Sequence, residues 1–356
     1  MTDRHEARVL LAVLGERWDA AASLQASTPV DPATFLALCR TTDVAATVHA
    51  KLDRAGRSDV LGADVAGGLA AARAKVRLDN LLLIARLEQA LDLLLAAGVR
   101  PVALKGVDVL HRLYRSFDER SLDDVDLLVR WGDRDLAIAT LERAGFAGPG
   151  EPERTHWFRS SFELPLVSPG PVGVLFEIHW NVGQVRRYRI DPSALIARSV
   201  PIEVGGRSIL RLDDHDAVAH LLLHHVQHYF ARRLKWVLEI GMLSSAAGFS
   251  WTLVAERLTA WGGRAAAGLA LAHVRELFPE MLPPAAFAAL PASRWRLTAT
   301  WPLRTSHPLD FYRGTGHRFV QLAIAAAALE RPWDLPGYVR HRASRDHDPE
   351  ADGPHA

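Results

Sequence analysis

The chain has 356 residues, enough for a large core in one or two domains. Hydrophobic residues make up 49% and charged residues 23%, and 42 basic residues face 41 acidic ones, for a net charge of +1. That balance excludes bulk attraction to nucleic acid or an anionic membrane, and the single cysteine, Cys39, excludes an internal disulfide or a cysteine-built zinc site.

The N-terminal apolar run is broken by Glu16 and Arg17 and has no small-residue cleavage site after it, so it is not a signal peptide. No stretch reaches about 18 uncharged apolar residues, and 319–329, the longest candidate, is too short to span a bilayer. A cytoplasmic location is therefore expected.

Residues 5–97 read as helical. Val9, Leu10, Val13 and Leu14 recur at helical spacing, as do Phe35, Leu36, Leu38 and Cys39. Asp31 followed by Pro32 is a helix start, and the long periodic segment 66–97 stops at Gly98. The pattern then changes. Residues 100–104 are β-like, 107–114 a short helix, 125–129 a strand, and 133–144 a helix that Gly145 ends. A clear strand covers 172–180, with a partner at 158–167 and a hairpin at 200–210 turning at Gly205 and Gly206. Helices return over 213–329, with breaks near Gly248, Gly262 and Pro283–Pro284; the polar tail is expected to be disordered.

This layout predicts an α+β protein. A helical region (1–97) leads into a small mixed-sheet core (98–212), a second helical region (213–342) and a tail (343–356).

Strand alternation gathers acids on one face. In the first acidic strand Val125, Leu127 and Val129 share one side, and Asp124, Asp126 and Leu128 the other. In the second, Val174, Phe176, Ile178 and Trp180 are apolar, and Leu175, Glu177 and His179 face oppositely. If the strands are neighbours, Asp124, Asp126 and Glu177 converge. Such carboxylates repel unless cations sit between them, and oxygen ligands suit Mg²⁺ or Mn²⁺. Neutralising either aspartate would then relieve repulsion. The plainer reading of Asp124-Val125-Asp126 is a surface turn or helix cap.

Upstream, Leu104-Lys105-Gly106 joins a strand to a helix. A strand, a glycine and a helix N-terminus make a phosphate site; the alternative is a simple β-α turn.

The order of these motifs resembles the nucleotidyltransferase superfamily that includes DNA polymerase β and the aminoglycoside nucleotidyltransferases. More closely, it resembles a family of uncharacterised bacterial nucleotidyltransferases with the motifs L-K-G, R-x-x-x-D-[IV]-D-L-L-V and E-[IL]-H-W. The matching residues are Leu104-Lys105-Gly106, Arg120 with 124–129, and Glu177-Ile178-His179-Trp180, and the similarity spans roughly residues 8–245. L-K-G departs from the superfamily's commoner glycine-glycine or glycine-serine pair, and Asp123 stands where small residues are usual.

The resemblance implies metal-dependent transfer of a nucleoside monophosphate from an NTP, ATP by default, with pyrophosphate released. Asp124 and Asp126 would ligate metal, with Glu177 as third ligand or helping to take the acceptor's proton. Lys105 and the Gly106 N–H would hold the β- and γ-phosphates. Arg120 would do the same, or form a salt bridge fixing the loop before Asp124. His179 would touch substrate or hydrogen-bond a metal-bound carboxylate. The acceptor is a hydroxyl on a small molecule, protein or peptide; nucleic acid and membrane are not expected partners.

Residues 213–243 read as one helix carrying His220, His224 and His228 on a single stripe, with Glu239 three turns further along it. The stripe is a zinc site or, preferably, a polar seam against the core. Arg232, Arg233, Lys235 and Trp236 form a basic patch, either a solvated face or a substrate contact. Glu239 is a weak candidate for the acceptor's general base. Two other functional classes stay open: a nucleotide-binding protein without turnover, and a histidine-metal hydrolase.

Overall fold

The structure is a computed structural model that describes residues 2–184, 187–228, 230, 233–304, 318–331 and 334–336. The expected disordered tail at 343–356 lies outside the described residues. Five helices open the chain: α1 (Thr2–Leu14), α2 (Trp18–Ser27), α3 (Pro32–Thr41), α4 (Ala45–Arg54) and α5 (Ala63–Ala96). The Asp31 carboxylate accepts from the Thr34 N–H at 2.8 Å and caps α3, which buries Phe35 and Cys39.

Helix α5 ends as the glycine predicts. The Val99 N–H donates to the Leu94 carbonyl at 2.9 Å and the Gly98 N–H to Leu95 at 3.0 Å. Gly98 has φ of 82°. This pairing of the last carbonyls needs a residue in the left-handed region, and Val99 then packs back on Leu94.

The chain next builds β1 (Val102–Ala103), α6 (Lys105–Leu113), β2 (Val125–Leu128), α7 (Arg134–Arg143), α8 (Glu153–Ser160), β3 (Glu163–Val167), β4 (Leu175–His179), α9 (Pro192–Arg198), β5 (Val200–Val204) and β6 (Arg207–Arg211). The six strands form one mixed sheet in the order β3-β4-β2-β1-β6-β5. β2 lies parallel to β4 and antiparallel to β1; β3 pairs antiparallel with β4. The α+β reading therefore holds. The partner strand expected over 158–167 is shorter, because 158–160 belong to α8, whose apolar Phe158 packs on Trp180 at 5.7 Å between ring centroids.

Seven helices follow: α10 (Asp214–Gln227), α11 (Leu234–Ser244), α12 (Trp251–Trp261), α13 (Arg264–Leu277), α14 (Pro284–Ala289), α15 (Arg294–Arg304) and α16 (Arg318–Ala328). The single helix expected over 213–243 is two. Helix α10 stops at Gln227, His228 caps it, and Phe230 has φ of 58°. A residue in that left-handed conformation ends a helix, so α11 starts on a new axis. Glu239 consequently leaves the histidine stripe.

Two cores result. One joins α1, α3 and α4 to α10–α13 and touches the sheet through Val102, Leu104 and Leu128. The other packs the C-terminal half of α5 and α7 on the sheet's other face, through Leu87, Leu91, Leu127, Phe176 and Ile178. No described helix is long and apolar enough to cross a membrane.

The end of α5 sets the entry angle of β1. A Cβ at Gly98 meets nothing within 4 Å, so the cost of Gly98→Ala is conformational alone. We expect a loss of about 1 kcal/mol in urea unfolding. An unchanged midpoint would show that the chain can leave α5 by another route.

Candidate functional site

Sheet register decides which side chains meet. Asp126 pairs across the ladder with Glu177, and Glu163 with His179. All four therefore reach a cleft of about 350 Å³ between the sheet and α10–α11, which Asp124, Lys105 and Gly106 also line. The neighbouring strands that the alternation required are β2 and β4.

Asp126 is the centre. It is 1% exposed, and its Oδ1 accepts from Lys105 Nζ at 2.7 Å and His179 Nε2 at 2.8 Å. Glu177 Oε2 lies 3.8 Å from Lys105 Nζ and 3.4 Å from His179 Nε2, and Glu163 Oε2 lies 3.3 Å from His179 Nδ1. Burial opposes ionisation of Asp126, but the Lys105 charge and the His179 hydrogen bond outweigh it and hold the carboxyl well below its ordinary range. Burial also disfavours the charged His179, yet Glu163, Asp126 and Glu177 raise it to about 10. Asp124 makes no such hydrogen bond among the described residues: burial and the Asp126 charge outweigh the more distant Lys105 and push it up to about 7. Glu163 is likewise pushed up to about 7, by burial and then by Glu177.

Asp126, Glu177 and His179 each offer a ligand atom, and these atoms lie within 4.8 Å of one another. With Asp124 beside them, the donors are mainly carboxylate oxygens, a set that fits Mg²⁺ or Mn²⁺. Among the described residues this is the one such group, and His220, His224 and His228 form none. The histidine-metal reading loses its geometric basis.

Lys105 opens α6 with φ of 41°, a strained conformation for a non-glycine residue. Its ammonium sits among the acids. Gly106 follows where a Cβ would come within 2.8 Å of Arg120 Nη1 and 2.9 Å of Leu122. The glycine thus allows the helix start to approach the loop before β2.

That loop is held from three sides. Arg120 donates from Nε to Glu239 Oε1 at 2.8 Å and from Nη1 to the Ser121 carbonyl at 2.8 Å, and both ionic side chains are buried. The structure therefore gives Arg120 the salt bridge that was one of its two readings, and puts Glu239 behind the cleft wall. Asn80 of α5 donates to the carbonyls of Phe117 and Arg120 and accepts from the Leu122 N–H at 2.9 Å. Asp123 pairs with Arg233 at 2.8 Å and Lys235 at 2.9 Å, and both cations also pair with Asp43. Lys235 is buried, so this end of the basic patch is not a solvated face; Arg232 lies outside the described residues.

The opposite wall carries histidines. Centroids of His220 and His224 are 6.0 Å apart, those of His224 and His228 4.3 Å, and Trp236 packs 4.4 Å from His224. Burial, then the positive charges of Lys105 and His179, lower His220 to about 3, so it is neutral at pH 7.

Glu163 and Asn80 escaped the sequence reading. Glu163 sits at the first position of β3, and only the antiparallel register brings it to His179. Asn80 lies inside an apolar-periodic helix, where a polar residue on the buried face was the available signal.

The two aspartates differ in energetic role. The sequence expectation that neutralising either relieves repulsion is corrected for Asp126, because Lys105 and His179 already stabilise its charge. In EDTA, Asp126→Asn should cost about 3 kcal/mol, the price of breaking a buried ion pair. Because the Asp126 pKa is depressed, that loss persists from pH 8 to pH 5. Asp124→Asn should gain about 1–2 kcal/mol at pH 8. A raised carboxyl penalises the fold above its unfolded pKa, so this gain shrinks by pH 5 and disappears below pH 4. Melting curves at both pH values check the two signs; equal shifts for both variants would refute the distinction.

A comparison with curated proteins found no match. Among solved structures, the chain is similar to an antigenic nucleotidyltransferase-like protein from Paracoccidioides brasiliensis. That likeness has a TM-score of 0.38 and 14% identity, over 60% of this chain and 93% of that chain. The model of a family described as uncharacterised nucleotidyltransferase matches residues 28–279, a span holding every cleft residue named above. The chain belongs to that uncharacterised nucleotidyltransferase family.

Proposed function

We propose that the protein transfers a nucleoside monophosphate from an NTP, with ATP as the default, to a hydroxyl of a small-molecule, protein or peptide acceptor. The observation that carries this reading is the in-register pair Asp126 and Glu177 on adjacent parallel strands, facing the Lys105-Gly106 start of α6 across one cleft.

Asp124, Asp126 and Glu177 would hold Mg²⁺ or Mn²⁺. The bound ion supplies positive charge that shields the triphosphate from the acids and stabilises charge developing on the transferring group. His179 orients Asp126 through its 2.8 Å hydrogen bond. Lys105 and the Gly106 N–H, at the positive end of α6, would hold the β- and γ-phosphates. Lys105 must then exchange Asp126 for phosphate. The acceptor oxygen attacks the α-phosphorus. A new O–P bond forms as the bond to the leaving pyrophosphate breaks. Glu163, or Glu177, would take the hydroxyl proton. Arg120 contributes through the loop it braces, and the neutral histidines of α10 offer hydrogen bonds without adding charge. A cytoplasmic site of action belongs to the same reading.

A screen of four NTPs with Mg²⁺ or Mn²⁺, read by pyrophosphate release, tests the reaction. Asp124→Asn and Asp126→Asn should each reduce release by about a hundredfold or more. Calorimetry should find NTP binding only when the divalent ion is present; equal affinity in EDTA would overturn the metal assignment.

Lys105 has its own test. Lys105→Ala should weaken triphosphate binding by about 1.5–3 kcal/mol, the range for hydrogen bonds to a charged group. It should also lower the melting temperature in EDTA, because it strips Asp126 of its cation. Unchanged ATP affinity would reduce the loop to a β-α turn.

A further inference from the structure

Beyond the C-terminal ends of β2 and β4 lies a second cavity of about 410 Å³. Crevices at the carboxyl ends of parallel strands are where open sheets bind ligands. This one backs on the catalytic cleft. His179 and Phe162 line the cleft, whereas Trp180 and Ser161, one residue along, line the second cavity. The shared wall is pinned, since the Trp180 N–H donates to the Phe162 carbonyl at 2.9 Å.

The lining has a definite chemistry. Trp131 meets Trp180 edge-on with centroids 6.3 Å apart. The Arg134 guanidinium lies 4.5 Å from the Trp131 ring centroid and 4.4 Å from that of Phe158, and holds the aromatic set together. Trp131 is nonetheless 63% exposed, as a stacking platform would be. Arg130 and Arg159 also line the cavity and are exposed, and neither has an acid partner among the described residues. Among the described residues no aspartate or glutamate lines it.

We infer that this cavity is a subsite for an anionic sugar: a polyhydroxylated ring carrying a phosphate or a carboxylate. This binding does not depend on the nucleotidyl-transfer reading. Indole and phenyl rings bind the apolar face of a sugar ring, and the two free guanidinium forks match a phosphate or carboxylate. A polycationic ligand meets two arginines and no acid among the described residues here, and is refused by like charge.

Tryptophan fluorescence, titrated with glucose 6-phosphate, glucuronate, glucose and kanamycin, tests this. Glucose 6-phosphate or glucuronate should change the emission, and the stronger of the two identifies the preferred anion. Glucose should bind about tenfold more weakly or worse. Trp131→Leu should abolish the signal, and Arg130→Ala and Arg159→Ala should each weaken binding about tenfold. All three residues are exposed, and melting curves check that each variant folds. Equal binding of glucose, binding of kanamycin, no binding by any probe, or unaltered affinity in the arginine variants would overturn the proposal. ATP titrations with Mg²⁺ on the same samples separate the two readings. If ATP binds and no anionic sugar does, the subsite assignment falls alone. If an anionic sugar binds and ATP does not, nucleotidyl transfer falls and the cavity stands.

Discussion

The negative charge of Asp126 organises the site. An ion buried at the middle of a sheet is tolerated only with partners, because desolvation costs several kcal/mol. Both partners bind the same oxygen, Lys105 at 2.7 Å and His179 at 2.8 Å. Lys105 comes from the start of α6 and His179 from the end of β4. The charge therefore depends on β2, α6 and β4 holding their relative positions. The strained backbone at Lys105 is the local cost of that demand.

The loop before β2 meets a similar demand by other means. It is pinned by Asn80 of α5 and by Glu239 of α11, and through Asp123 and Ser121 it joins the cluster of Asp43, Arg233 and Lys235. These contacts tie the N-terminal helices, the sheet and the C-terminal helices to one short segment. Asp124 follows directly from it. The residues most distant in sequence thus hold the cleft's acidic edge, and the shared core of α1, α3 and α4 with α10–α13 supports that arrangement.

The walls of the cleft differ in charge. The sheet presents carboxylates with one ammonium and one imidazolium, whereas α10 presents buried histidines that burial keeps neutral. Negative charge is confined to one side, and the other offers hydrogen-bonding rings, Trp236 and, at the start of α11, the cations Arg233 and Lys235. Behind the end of the sheet the balance reverses, with arginines and, among the described residues, no acid. An anion thus meets an unopposed positive lining there, and a divalent cation an oxygen-rich one in the cleft.

Much of this was legible in the sequence by itself. Period-two alternation assigned Asp124, Asp126, Glu177 and His179 to one side of two strands, because a strand leaves its side chains no other choice. Glycines marked the end of α5 and the β5–β6 turn, since few other residues adopt positive φ. What the sequence could not determine was which charges meet. The pairing of Asp126 with Lys105, of Arg120 with Glu239 and of Glu163 with His179 spans 21, 119 and 16 positions, and local patterns carry no information on such distances. Nor could helical periodicity reveal the break between α10 and α11, because both helices are apolar-periodic and the left-handed Phe230 between them is not a glycine. Alternation and turn chemistry are properties of neighbouring residues and so are written in the sequence. The neutralisation of a buried carboxylate depends on partners supplied by distant segments, and the tertiary structure alone decides it.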